Sequence, residues 1–237
     1  KADIADLDAH EALAAACADQ LGGIDCLVNN AGIGPPVRGD LLGLVPENFD
    51  RVMNINLRGT VFLTLAVVRR MLAQPQDRPR SVITITSVSA EMASPERSDY
   101  CISKAALSMW VRNLAIRLAP EEIGVFEIRP GIIRTDMTAV VKDKYDRLIE
   151  GGLTPTRRWG EPEDIAKVAT SLASGNFHFS TGDAFHVDDD GFYWYHSRTD
   201  DIAAMDRVAA WLAANRCTFV CTGLMISMRR RRSSGSK

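Results

Sequence analysis

Short apolar runs alternate with longer amphipathic stretches over most of the chain. The apolar runs are rich in aliphatic and β-branched residues, which favours buried strands at residues 24–28, 81–86, 125–130 and 183–188. Apolar positions at helical spacing predict helices at residues 7–20, 46–73, 99–118 and 161–174. Pro46 followed by acidic Glu47 is typical of a helix start, and Pro130 followed by Gly131 is typical of a strand end.

The order of these elements predicts the fold class. A strand, a helix and another strand, repeated in this rhythm, is the pattern of parallel βαβ units. We therefore predict an α/β fold built on a doubly wound parallel sheet. The run at 24–28 is continuously apolar, so we expect that strand to be covered on both faces.

The last part of the chain has a different pattern. Residues 193–237 contain an amphipathic stretch, a short apolar run and an end with four arginines at 229–232. We predict one domain at 1–192, followed by an unassigned C-terminal extension with a basic end at 193–237. A run of four arginines is typical of a solvated chain end rather than of a nucleic-acid or membrane patch.

Composition narrows the range of functions. The 237 residues are 46% hydrophobic and carry a formal net charge of −2, which favours neither nucleic acid nor an anionic membrane as a partner. No apolar run approaches the ~20 residues of a transmembrane helix, and residues 1–13 contain no signal-peptide core. The five cysteines lack metal-binding spacing, so we expect no metal site and a reducing, cytoplasmic setting.

Tyr100 and Lys104 are the first candidates for chemistry. Residues four apart share one face of a helix, so the phenol and the ammonium can approach one substrate. A positive charge ~5 Å from the phenol is expected to lower the pKa of Tyr100 by about two units, toward the range that a general acid or base needs. The alternative is an exposed helical pair without a catalytic role.

Ser87 and Asn56 extend this candidate site. Ser87 ends the strand that precedes Tyr100, at the sheet edge where parallel folds bind ligands, although Thr86 and Ser89 are rivals for its role. A strand-end serine is also a common turn or helix cap. Asn56 is the second asparagine within one turn of a predicted helix, which calls for a structural or functional reason because asparagine disfavours helix interiors.

These residues occur within a recognisable series of motifs. NNAG at 29–32, NINLRG at 54–59, the strand-end serine, YCISK at 100–104 and RPGIIRTD at 129–136 follow one another in order. The chain thereby resembles the short-chain dehydrogenase/reductase family, and within it the members named 3-oxoacyl-acyl-carrier-protein reductases. The resemblance implies a Rossmann-like sheet and an NAD(P)-dependent oxidoreductase that interconverts a ketone or 3-oxoacyl group and a secondary alcohol.

The resemblance also assigns roles to individual residues. Tyr100 would exchange the proton, Lys104 would lower its pKa and bind the nicotinamide ribose, Ser87 would orient the substrate oxygen, and Asn56 would hold a water in a proton relay. The remaining positions that match the family's cofactor contacts are Asp3 and Ile4 at the adenine, Asn30 at the adenosine ribose, and Ile133 and Thr135 at the carboxamide. Residues 136–160 would form a substrate lid.

The cofactor would be NAD or NADP, and the sequence does not choose between them. By resemblance we also expect a homodimer or homotetramer formed through the helices at 46–73 and 99–118.

Two features depart from the family pattern. The acidic adenine contact is already residue 3 and no GxxxGxG sequence occurs, so we expect the fold to lack the N-terminal strands and the Gly-rich loop that binds pyrophosphate. The usual Val-Asp-Gly-Gly is replaced by VDDDG at 187–191. These departures leave an alternative function open, in which the chain is a catalytically silent fragment or an interaction module descended from the family.

Overall fold

The computed structural model describes residues 2–75, 77–139, 141–154, 156–187, 193–195, 218–222 and 225–229. Its strands are β1 (Cys26–Asn29), β2 (Arg80–Ile85), β3 (Ile123–Pro130), β4 (Ala184–Val187), β5 (Tyr193–Tyr195), β6 (Thr218–Thr222) and β7 (Met225–Arg229). Its α-helices are α1 (His10–Leu21), α2 (Pro46–Met53), α3 (Thr60–Ala73), α4 (Ser98–Leu118), α5 (Asp136–Ala139), α6 (Lys142–Glu150) and α7 (Pro162–Ala173). The four strands and four helices expected from the sequence are therefore confirmed, with ends that differ by a few residues.

Seven described strands form one sheet in the order β1-β2-β3-β4-β5-β7-β6. The pairs β1–β2, β2–β3 and β3–β4 are parallel, whereas β5, β6 and β7 pair in antiparallel fashion beyond β4. The parallel sheet is thus confirmed for β1 to β4. The sequence VDDDG at 187–191 was identified above as a departure from the family pattern. Its residues 188–191 lie outside the described part of the chain.

Apolar cores lie on both faces of the parallel strands. Neighbouring residues of a strand point to opposite faces, so Val82 joins one core with residues of α1, α3 and α4 while Ile83 joins the other with residues of α7. Helices on both faces are the arrangement of a doubly wound α/β fold. The continuous apolar character of β2 and β3 follows, because each strand is buried on two sides.

The prediction that the first strand is covered on both faces is wrong. Leu27 and Asn29 of β1 point toward α3, whereas Cys26 and Val28 on the other face are exposed. Among the described strands, β1 pairs only with β2 and forms one margin of the sheet. Within the described residues a helix layer covers β1 on one side only, which explains the alternating burial.

The helical pattern at 46–73 contains an irregular turn. A π-helical segment at Asn54–Gly59 joins α2 to α3, and it contains the two asparagines that the sequence marks as unusual. A Cβ on Gly59 would lie 2.3 Å from the carbonyl oxygen of Ile4. Only glycine therefore permits residues 2–6 to pack this closely against the segment.

Candidate active site

The candidate catalytic residues meet at the carboxyl end of β2. Ser87 follows β2 directly and begins a short turn at Val88–Ala90, where its hydroxyl accepts a hydrogen bond from the Ser89 amide at 3.1 Å. Tyr100 and Lys104 lie on the first turns of α4, and the Lys104 Nζ is 5.7 Å from the centroid of the Tyr100 ring. The Ser87 hydroxyl lies beside the phenol of Tyr100. A serine hydroxyl, a phenol and an ammonium therefore lie close together at the carboxyl end of β2.

The electrostatics of Tyr100 differ from the sequence expectation. Burial raises the pKa of the Tyr100 phenol above its ordinary value, and the Ser87 hydrogen bond and the Arg97 charge oppose that rise. Burial also lowers the pKa of Lys104 to about 8, and the nearby Glu127 carboxylate opposes this change. The predicted lowering of the Tyr100 pKa by Lys104 is therefore corrected, because loss of hydration outweighs the opposing effects of Ser87 and Arg97.

Lys104 is held in a narrow buried space. Its Nζ donates a hydrogen bond to the Ile85 carbonyl at the end of β2, at 3.0 Å. A Cβ on Gly32 would lie 3.6 Å from that Nζ and 3.3 Å from the Oδ1 of Asn56. The glycine of the NNAG sequence therefore leaves the room in which Lys104 and Asn56 approach the loop after β1.

Asn56 connects three parts of the fold. Its side chain is fully buried; the Oδ1 accepts from the Ile33 amide at 2.8 Å, and the Nδ2 donates to the Ile33 carbonyl at 2.9 Å. The same Nδ2 lies 3.2 Å from the Ser103 hydroxyl of α4. This amide joins the π-helical segment to the loop after β1 and to the helix that carries Tyr100. Its role in a proton relay stays a prediction.

The two rivals of Ser87 have other surroundings. Thr86 donates its hydroxyl hydrogen to the Glu127 carboxylate at 2.6 Å. The Ser89 hydroxyl is buried and has no hydrogen-bond partner among the residues that the structure describes. Of the three hydroxyls, the one on Ser87 lies beside Tyr100, and its catalytic role stays a prediction.

The residues expected to bind the adenosine half of a cofactor lie near the chain start and directly after β1. Asp3 is exposed, and its carboxylate accepts from the Ala5 amide at 2.9 Å. The Ile4 carbonyl accepts from the Nε2 of His10 at 2.8 Å. Asn30 is exposed after β1, whereas its neighbour Asn29 is buried and donates to the hydroxyls of Thr64 and Thr84.

The residues expected at the carboxamide follow β3. Ile133 pairs with Gly160 in a parallel bridge, and its carbonyl accepts from the Thr138 hydroxyl at 2.8 Å. Thr135 is exposed, and its amide donates to the same hydroxyl at 3.0 Å. The expected lid at 136–160 contains α5 and α6, and its role stays a prediction.

A buried ionic pair was missing from the sequence expectations. Glu127 and Arg129 lie two residues apart on β3, so both point to the same face of the sheet, and each is 1% exposed. Two opposite charges at this spacing within an otherwise apolar strand were the feature of the sequence that could have indicated the buried pair. The contacts that make the pair relevant to the site come from β2 and α4, which only the folded chain brings together.

Two negative observations concern membranes and metals. No helix in the part of the chain that the structure describes combines the length and the apolarity needed to cross a bilayer. Among the same residues, no three His, Cys, Asp or Glu side chains group in a way that could bind a metal ion.

Comparisons with known proteins give the family. A family model described as enoyl-(acyl carrier protein) reductase matches residues 1–192. A dehydrogenase/reductase SDR family member 4 from Sus scrofa is 34% identical over 179 residues, which are 75% of this chain and 63% of that protein. The chain thus spans less than two thirds of the length of this relative.

Solved structures agree with the sequence relatives. A 3-oxoacyl-[acyl-carrier protein] reductase from Brucella melitensis in complex with NAD superposes with a TM-score of 0.79 and 59% identity, over 80% of this chain and 75% of that chain. A gluconate 5-dehydrogenase from Burkholderia cenocepacia in complex with NADP and tartrate superposes with a TM-score of 0.73 and 29% identity, over 79% and 72% of the two chains. The chain belongs to the short-chain dehydrogenase/reductase family, whose members use NAD or NADP in oxidoreduction.

Proposed function

We propose that the protein is an NAD(P)-dependent ketoreductase that interconverts a ketone or 3-oxoacyl group and a secondary alcohol. The observation that carries the proposal is the convergence of Ser87, Tyr100 and Lys104 at the carboxyl end of β2. The similarity to a 3-oxoacyl-[acyl-carrier protein] reductase favours a 3-oxoacyl thioester among the substrates.

Each of the three side chains has a different role in the proposed reaction. The high pKa of Tyr100 keeps its phenol protonated at neutral pH, so the phenol donates a proton to a carbonyl oxygen during reduction and takes it back during oxidation. The Ser87 hydroxyl donates a second hydrogen bond to that oxygen and stabilises the negative charge that develops there. Lys104 would hold the nicotinamide ribose and return a proton to Tyr100.

The residues present fit the nicotinamide half of the cofactor. Gly32 leaves a space beside Lys104 and Asn56 that a side chain would fill, and Ile133 offers backbone atoms at the same sheet edge. Tyr100, Lys104, Ile133 and Thr135 would hold this half, and Asp3, Ile4 and Asn30 would contact the adenosine. When bound, the nicotinamide supplies the hydride that the carbonyl carbon receives.

We also propose that the protein forms a homodimer or homotetramer through α2, α3 and α4. The large apolar residues Ile102, Met109 and Ile116 are exposed at intervals of seven along α4, and Phe62 is exposed on α3. Residues spaced by seven share one helix face, so these side chains form an apolar stripe that a second copy would cover. Light scattering of the purified chain tests this assembly.

A kinetic comparison tests the function. The purified 237-residue chain is incubated with NADH or NADPH and a short 3-oxoacyl thioester, and absorbance at 340 nm reports turnover. We expect Tyr100→Phe to lower kcat by about 10²- to 10⁴-fold, because it removes the general acid and leaves the ring in place. Cofactor affinity, measured by calorimetry, is expected to change little.

The catalytically silent alternative gives a different result. If the wild-type chain turns over neither cofactor with any ketone of a broad panel, the proposal is wrong and the alternative of a catalytically silent fragment or an interaction module is favoured. If Tyr100→Phe keeps more than about a tenth of the wild-type kcat, the assignment of Tyr100 as proton donor is wrong.

A further inference from the structure

The buried pair Glu127–Arg129 lies directly behind the candidate active site. Glu127 accepts four hydrogen bonds: from the Thr86 hydroxyl at 2.6 Å, the Ser108 hydroxyl at 2.9 Å, and two guanidinium nitrogens of Arg129 at 2.7 and 3.1 Å. Each carboxylate oxygen thus has two donors. The carboxylate is fully partnered without water.

The guanidinium of Arg129 extends this network in three directions. Besides its bonds to Glu127, it donates to the Ser108 hydroxyl at 2.8 Å and to the Glu91 carboxylate. It also lies 3.4 Å from the Nε2 of His186 on β4. The network therefore connects β3 to α4, to β4 and to the turn after Ser87.

The partners of the pair are the neighbours of the catalytic groups. Thr86 immediately precedes Ser87, and Glu91 immediately follows the turn that Ser87 begins. Ser108 is four residues beyond Lys104, which is four residues beyond Tyr100, so the three side chains follow one face of α4. The elements that carry Ser87, Tyr100 and Lys104 are thus bonded to Glu127 or Arg129.

Stability alone does not account for such a pair. Removing two charges from water is costly, and well-packed apolar residues at the same positions are often as stable or more stable. A buried, fully bonded ionic pair instead restricts the relative position of the elements that it joins. Here the restricted elements are the end of β2 and the first half of α4.

We propose that Glu127 and Arg129 are positioning residues that fix α4 against the end of β2 and place a negative charge behind Lys104. The proposal rests on the proposed function, because it assigns the pair a duty toward Ser87, Tyr100 and Lys104. Neither residue reaches the substrate in this role; each acts through Thr86, Ser108 or Lys104.

The electrostatic part of the proposal concerns the groups around Lys104. The titratable groups that face it in the described structure are Tyr100 on its own helix and Glu127 on β3, while Asn56 and Gly32 approach from other elements without charge. The Glu127 carboxylate raises the pKa of Lys104 and so opposes the larger effect of burial, which lowers that pKa to about 8. Loss of this carboxylate is therefore expected to lower the pKa of Lys104, so that the lysine loses its proton at a lower pH than in the wild type.

A nuclear magnetic resonance titration tests the proposal without substrate or cofactor. The chain contains six lysines, so a sample labelled with ¹³C at the lysine ε-carbon gives few signals, and the Lys104→Arg variant identifies the one from Lys104. We expect Glu127→Gln, which keeps the shape and removes the charge, to lower the Lys104 pKa by about one pH unit. Glu163→Gln, the same change at an exposed position on α7, is the control and is expected to leave it unchanged.

Kinetics then connect the titration to catalysis. With the full chain and a 3-oxoacyl thioester, the alkaline limb of kcat is expected to move to lower pH in Glu127→Gln, while the KM for cofactor stays within about twofold. A residue that only supports the fold would lower the amount of active protein without moving the pH profile.

The possible outcomes separate the two proposals. A Glu127→Gln variant that melts like the wild type and has an unchanged Lys104 pKa overturns the positioning proposal. If that variant does not fold, the double variant Glu127→Gln/Arg129→Met removes both charges. Loss of the guanidinium opposes the effect of losing the carboxylate, so a smaller lowering of the Lys104 pKa is expected, and an unchanged or raised value overturns the proposal. A lowered Lys104 pKa in a chain without turnover supports the positioning proposal and contradicts the proposed function.

Discussion

The cluster at the end of β2 and the segment near the chain start are held in different ways. Ser87 and Lys104 are buried, Lys104 donates a hydrogen bond to the Ile85 carbonyl at the end of β2, and the Glu127–Arg129 pair lies behind them. Asp3 is exposed, and Ile4 is held by its backbone carbonyl against His10 and Gly59. The comparison indicates that the proposed proton-transfer residues are built into the core, whereas the proposed adenosine contacts depend on one close packing of backbone atoms.

Changes within the buried cluster are expected to have large effects on turnover. Ser87→Ala should lower kcat by about 10²-fold, because it removes a hydrogen bond to the charge that develops on the substrate oxygen. Ser89→Ala, the same change two residues away, should keep kcat within about threefold. Initial rates at 340 nm with saturating cofactor distinguish the two, and equal losses would contradict the assignment of Ser87.

Lys104→Met should separate activity from stability. The pKa of Lys104 falls from 10.5 to about 8 in the folded chain, so its charge costs roughly 3 kcal/mol at pH 7, offset in part by the hydrogen bond to Ile85. We therefore expect the variant to lose turnover but to gain about 1–2 kcal/mol in the free energy of unfolding at pH 7.

The pH dependence of this gain has a definite sign. Between pH 8 and 10.5 the unfolded chain binds the lysine proton that the folded chain has lost, so wild-type stability rises with pH in that window and the advantage of the variant disappears. Urea unfolding at pH 7 and pH 10 measures the difference. Lys167→Met, at an exposed lysine of α7, is the control, and an equal effect there would disprove the explanation.

Gly59→Ala should affect the segment near the chain start. The added Cβ would lie 2.3 Å from the Ile4 carbonyl oxygen, so residues 2–6 must move. We expect cofactor affinity to fall by about tenfold, and kcat at saturating cofactor to stay near the wild-type value, since such overpacking typically costs 1–3 kcal/mol. Gly43→Ala adds a Cβ that has no atom within 4 Å and is the control. A lower kcat with unchanged cofactor affinity would show that the segment near the chain start supports catalysis rather than cofactor binding.

Asp3→Asn should give the smallest effect. The residue is exposed, and its carboxylate makes one local hydrogen bond to the Ala5 amide. We expect a two- to tenfold loss of cofactor affinity by calorimetry, the usual range for one hydrogen bond, and no change in melting temperature. Asp8→Asn, a nearby exposed position, should have no effect on affinity. A large loss of stability in Asp3→Asn would show that this segment is part of the core.

The sequence by itself determined the elements and the local part of the site. The alternation of apolar runs and amphipathic stretches located β1 to β4 and the helices α1 to α4 and α7, because burial on a strand or helix follows the period of that element. The spacing of Tyr100 and Lys104 placed both on one helix face for the same reason. These features depend on residues close together in the chain.

Only the tertiary structure decided which groups meet and how they ionise. The proposed choice of Ser87 over Thr86 depends on which hydroxyl lies near Tyr100 and which bonds Glu127, residues that lie on other elements. The pKa of Tyr100 moved in the direction opposite to the sequence expectation, because burial is a sum over the whole surrounding fold, whereas spacing along a helix reports only the distance to one charge. Likewise, Glu127 and Arg129 were visible as two charges in an apolar strand, but their link to Lys104 exists only where β2, β3 and α4 pack together.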